Sequence, residues 1–199
     1  MAEFQKVYRE VATRTLLTLD RVRSMWDLVK KTNSVEGDLA EFGTYMGGNA
    51  KLMYKAANGT KKMHIFDTFS GIPIEQREEG DHLAGEFSAS FEDVSSYLAD
   101  CTNVTYYKGL VPDTLAGVEN TYSFVHLDMD LYLPTIAALK YVWARMPKEG
   151  VIVLDDLDNL SCIGRAVEDF KEWLGNRGLY QYIKTVQWQA HFIKLVGDV

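Results

Sequence analysis

The 199-residue chain predicts an α/β protein built on a seven-stranded, mostly parallel sheet, with helices on both faces and extra helices at its N-terminal end. Three observations carry this prediction. Short apolar runs alternate with helical patterns from residue 38 to residue 176, the order that builds βα units and a parallel sheet. A glycine-rich turn, EFGTYMGGN at 41–49, follows the first of these runs. The last two runs, at 180–187 and 190–196, are separated by almost nothing, so they can pair only as antiparallel strands.

Each element has its own signal. Residues 15–31 place Leu16, Leu19, Val22, Met25, Trp26 and Val29 at helical spacing, with a polar opposite face. Residues 4–13 carry a weaker helical pattern. The first strand is expected at 38–43, and a helix at 47–57 stops at Asn58-Gly59. MHIFD at 63–67 reads as the second strand. Residues 70–90 form a polar, glycine-containing connection longer than most in a compact domain, which suggests a substrate loop. A helix at 90–99 and strand VTYYKG at 104–109 follow. The fourth strand ends at Asp128. The next helix, at 133–146, has Pro134 in its first turn, where proline is tolerated. The fifth strand runs from Val151 to Asp156, and the helix at 163–176 buries Ile163, Ala166, Val167, Phe170 and Leu174 on one face.

Composition narrows the function. A length of 199 residues suits one domain. Hydrophobic residues at 47% and charged residues at 25% are ordinary for a soluble protein. The net charge of −7 argues against a nucleic-acid or anionic-membrane binder, which needs clustered Lys and Arg. No apolar run approaches the roughly 20 residues that span a bilayer, and no signal-peptide pattern opens the chain, so a cytoplasmic protein is expected. Cys101 and Cys162 are far apart and outside any C-x-x-C pattern, so both read as buried free thiols.

The chemistry lies at strand ends. Gly43, Gly47 and Gly48 let the first βα turn approach a ligand closely, or only pack a helix on the sheet. The turn has neither the G-x-G-x-x-G spacing of a dinucleotide site nor the Lys of a phosphate loop. Glu41 at its start suits an ammonium or sulfonium group. Asp67 ends the second strand where a nucleoside ribose would be bound, and an N-cap is the alternative. Asp128, Asp155 and Asp156 follow neighbouring strands and should converge. Acids that converge without a Lys or Arg beside them in sequence call for a counter-charge, and oxygen donors select a hard cation: Mg2+ first, then Mn2+ or Ca2+. The alternative is a group of solvated helix caps. Asp130 is expected to cap the next helix or to assist from behind the ligands. His64, His126 and His191 lie in strands and read as structural. His82, in the long loop, is either a general base or an exposed loop residue.

On four stretches the chain resembles the macrocin O-methyltransferase family: GDLAEFGTYMGG (37–48), DTFSGIP (67–73), HLDMDLYLPT (126–135) and VIVLDDLDN leading to GRAVEDF (151–170). The resemblance implies a Rossmann-like class I methyltransferase fold and a methyl transfer to a hydroxyl that depends on S-adenosylmethionine and Mg2+. It implies cofactor contacts along Glu41, Gly43, Thr44, Tyr45, Gly47, Gly48 and Asn49, a ribose on Asp67, and adenosine near Thr68, Phe69 and Gly109. It implies Asp128, Asp155 and Asp156 as metal ligands, with Asp128 catalytic, and His82 as the base. Tyr45-Met46, Leu133-Pro134 and Asp156-Leu157 depart from the family pattern, all near the acceptor rather than the cofactor. The acceptor is expected to be a small-molecule sugar hydroxyl or vicinal diol. Residues 1–34 are expected to form a lid and a homodimer contact. The alternatives are a metal-independent methyltransferase acting on a carboxylate or nitrogen, and a cofactor-binding protein without turnover.

Overall fold

The computed structural model describes residues 2–78, 82–175 and 178–197. Among them seven strands form one sheet: β1 Asp38–Phe42, β2 Met63–Asp67, β3 Val104–Lys108, β4 Tyr122–Leu127, β5 Val151–Leu154, β6 Tyr180–Val186 and β7 Gln189–Lys194. The helices are α1 Ala2–Val11, α2 Leu19–Lys31, α3 Gly48–Ala56, α4 Phe91–Tyr97, α5 Tyr132–Trp143 and α6 Ser161–Leu174. Strand order is β3-β2-β1-β4-β5-β7-β6. The first five strands are parallel, and β7 runs antiparallel to both β5 and β6. The expected closing hairpin is therefore present, with β7 inserted and β6 taking the edge.

The direction of winding reverses between β1 and β4, so the crevice at their carboxyl ends is where an open α/β sheet binds ligands. Both strands are covered on two faces. Leu39, Phe124 and Val153 pack into one core with α1, α2 and α3. Ala40, Val125 and Ile152 pack into the other with α5 and α6. The burial of every residue in β4 and β5 explains their nearly unbroken apolar runs.

The N-terminal segment departs from the sequence expectation. Helix α2 starts at Leu19 rather than Thr15, and Thr18 is extended before it. The Thr15 hydroxyl accepts a hydrogen bond from the Leu17 amide at 3.1 Å, a local turn that competes with helix formation. Leu16 consequently leaves the helical stripe and is 61% exposed. Arg21 replaces it on the buried face of α2. In the 70–90 connection, residues 79–81 lie outside the described residues, as does residue 176 at the expected end of α6.

Candidate active site

A cavity of about 300 Å³ opens at the β1–β4 crevice. The β1 turn supplies Gly43, Thr44, Tyr45 and Asn49. β2 and its turn supply Asp67 and Thr68, and the end of β3 supplies Gly109. Asp128, Asp130 and Asp156 come from the ends of β4 and β5, and His82 from the long connection. Residues 14–17 and Arg21 close one side.

Gly43 has φ +81°, and a Cβ there would lie 1.9 Å from the Asp128 carbonyl oxygen, so no side chain fits where β1 and β4 end. Gly48 meets the Arg14 carbonyl in the same way and donates its amide to it at 3.1 Å. Gly47 packs on Val94 and Leu98. These last two glycines thus position α3 and do not face the cavity. Phe69 also turns away, edge-on to Phe91 and Tyr106.

Asp67 joins two turns, accepting from the Thr44 amide at 2.6 Å and from the Phe69 amide at 2.7 Å. Burial pushes its pKa up, and the backbone donors oppose that shift. It organises the cavity floor while still facing it. Glu41 is fully buried and does not line the cavity. Its carboxylate accepts from Thr44 Oγ1 at 2.6 Å, and its other oxygen lies 3.0 Å from His126 Nδ1. Glu41 thus holds the turn from beneath through Thr44 and pairs with His126.

The register explains where the acids go. Glu41 pairs with His126, and His126 with Val153. Two residues further along the β4 and β5 chains are Asp128 and Asp155, on the same face as Glu41 and His126 because side chains alternate with period two. Asp156, the next residue, points elsewhere, at φ +55°. The expected triad is thus divided into two groups sharing Asp128: His126, Asp128 and Asp155 inside, and Asp128, Asp130 and Asp156 at the cavity wall, each with donor atoms within 4.8 Å of one another.

The acids are not without a cation. Arg21, from α2, holds Asp155 at 2.8 Å and approaches Asp156 at 3.7 Å. Sequence reasoning missed it because the two partners are 134 residues apart, although an Arg inside the buried α2 stripe was the available signal. One arginine does not neutralise four carboxylates. Burial first, then the neighbouring acids, push Asp128 well above the usual range. Burial and Asp156 push Asp130 up to about 7, opposed by His82. Asp130 does not cap α5: its N-cap is Leu131, which makes no side-chain cap bond. His82 sits in the cavity wall, with Nδ1 3.1 Å from Glu86 and its ring edge-on to Phe87.

A ligand crevice at a β1–β4 switch point, a β7 inserted antiparallel and a glycine turn beside strand-end acids define a class I methyltransferase. Residues 11–194 match the macrocin O-methyltransferase (TylF) family model, and the chain belongs to that family, as an S-adenosylmethionine-dependent O-methyltransferase. No curated protein matches the sequence. The fold is similar to that of the O-methyltransferase NovP, with TM-score 0.80 and 21% identity over 92% of this chain and 82% of that one. It is also similar to CalS11, a calicheamicin methyltransferase, with TM-score 0.68 and 18% identity over 96% and 91% of the two chains. A third similar structure is TomG from Streptomyces achromogenes in complex with SAM, with TM-score 0.63 and 15% identity over 98% and 90%.

Proposed function

We propose that the enzyme methylates a hydroxyl of a sugar or vicinal diol on a natural product or glycan, with the help of a divalent cation at the ends of β4 and β5. One observation carries this reading: the β1 turn and the acids of β4 and β5 open into the same cavity. S-adenosylmethionine would lie along Gly43, Thr44, Tyr45 and Asn49, with its ribose side at Asp67 and Thr68 and its adenosine toward Gly109. The donor set fits a cation, because buried Asp155 Oδ1 and His126 Nε2 have no hydrogen-bond partner among the described residues. Asp128, Asp155 and Asp156 would hold it, and its charge would lower the pKa of the acceptor hydroxyl. Asp130 and His82, which face the same cavity, would be the groups to take that proton. The cavity walls would position nucleophile and methyl donor together, and most of the acceleration would arise there. Exposed Leu16 and Leu19 beside the cavity suit the expected homodimer contact.

A metal-independent alternative draws on Arg21, which already offsets part of the acid charge. Transfer of labelled methyl from S-adenosylmethionine to diol-containing glycosides, with and without EDTA, separates the two. Activity should fall at least tenfold in EDTA and return with added divalent ion. Full activity in EDTA would favour the alternative.

A further inference from the structure

We propose that Trp188, at the tip of the β6–β7 hairpin, is a positioning residue for the methyl transfer: its ring holds the Arg21 guanidinium in place against Asp155. This rests on the reading that the acids at the ends of β4 and β5 serve the acceptor. It goes beyond that reading by bringing the last hairpin of the chain, which does not line the cavity, into the working of the site.

The way Arg21 meets the acids leaves it under-determined. Both contacts are made through Nη1, at 2.8 Å to Asp155 and 3.7 Å to Asp156. A guanidinium that forks onto one carboxylate with two nitrogens has its plane fixed by that contact. A contact through one nitrogen leaves the plane free to turn about the bond, on a side chain rich in rotamers. A second contact supplies what the first lacks. Arg21 Cζ lies over the Trp188 ring, 5.4 Å from its centroid, within the reach of a cation–π interaction. The Arg21 side chain is buried, and removal from water strengthens such a contact.

The backbone of the tip shows how the ring is held there. Val186 pairs with Gln189, so Gln187 and Trp188 alone make the turn. Trp188 has φ +64°. That is the left-handed region, which Gly or Asn fills readily in a turn and a bulky aromatic occupies rarely. The turn itself therefore does not call for tryptophan; what tryptophan adds is the ring over Arg21. The Trp188 carbonyl accepts the Leu157 amide at 2.9 Å, which ties the tip to the loop carrying Asp156. That loop closes on itself, with the Asn159 and Leu160 amides donating to the Asp156 carbonyl at 3.1 and 2.9 Å. The tip is thus anchored on the acid loop through the backbone, and the ring acts on Arg21 from that anchor.

W188G removes the ring, keeps the carbonyl bond and suits the left-handed backbone; W188N serves in its place should W188G not fold. In urea unfolding of the full chain, the coupling between R21M and D155N, read from a double-mutant cycle, should fall by more than about half when the cycle is repeated in W188G. W188F, which keeps a ring, should restore most of it. In the transfer of labelled methyl from S-adenosylmethionine to diol-containing glycosides, W188G should lower kcat about tenfold and leave KM for S-adenosylmethionine within about twofold, because the β1 turn is untouched. An unchanged coupling in W188G overturns the proposal, and so does a wild-type kcat in W188G or a lost kcat that W188F does not restore. A weakened coupling in W188G, together with a wild-type enzyme that methylates no glycoside, overturns the proposed acceptor and upholds the placing of Arg21 by Trp188.

Discussion

At the scale of single residues, Arg21 decides how the acids coexist. Its side chain is 7% exposed and that of Asp155 is fully buried, so each charge depends on the other. The guanidinium also lies over the Trp188 ring at 5.4 Å. Breaking a buried pair from one side leaves an uncompensated charge, which costs about 3–5 kcal/mol. Arg21→Met should therefore lower stability in urea unfolding by roughly 3 kcal/mol when metal is absent. The double variant with Asp155→Asn should recover part of that loss. A single-variant loss under about 1 kcal/mol would mean the pair is not the main counter-charge. The sequence shows the acids plainly, since DMD and DDLD each close an apolar run. It does not show Arg21, because helical periodicity assigns a face to α2 but not the strand end that the face will meet.

At the scale of elements, the β6–β7 hairpin joins legibly in sequence and carries a separate electrostatic feature. His191 is buried in β7 with Thr185 Oγ1 2.8 Å from Nδ1. Burial, and then the Lys31 charge, lower its pKa below the ordinary 6.5. A base with a depressed folded pKa binds its proton first in the unfolded chain. The stability it permits is present above about 6.5 and is lost as pH falls below that value toward the folded pKa. Urea unfolding at pH 7.5, 6.5, 5.5 and 5.0 should show wild-type stability declining more steeply over the lower interval than that of H191Q. Equal slopes would remove His191 from the pH response. Strand positions were readable because apolar runs of five or six residues have few alternatives. The start of α2 was not, since Leu16 fits a helical stripe that the Thr15 turn interrupts. Asp130 likewise resembled a helix cap by position alone, and only the backbone at Leu131 shows otherwise.

At the scale of the molecule, the fold and the outline of the site were legible, whereas the division of the acids was not. The mostly parallel sheet followed from the βα alternation, and its antiparallel end from the closing hairpin, whereas the insertion of β7 between β5 and β6 is seen only in the structure. Which acid joins which group depends on register between β1, β4 and β5, which no local signal encodes. The whole chain should respond to its cofactor as one unit. Saturation at a hundredfold over Kd adds about 2.7 kcal/mol of stability, a rise in Tm of roughly 5–11 °C for a chain of this size. Thermal unfolding with S-adenosylmethionine should show that rise, with NAD showing none. Matching responses to both would speak against the cofactor assignment.

The contact between Gly43 and the Asp128 carbonyl has a consequence of another kind. The β1 turn and the head of the acid row touch backbone to backbone, with the Asp128 amide also bonded to the Phe42 carbonyl at 2.9 Å. Neither loop can shift without displacing the other. If a cation binds the acid row as proposed, any coupling carried by this contact must be reciprocal: whatever factor the ion changes in cofactor affinity, the cofactor changes in ion affinity.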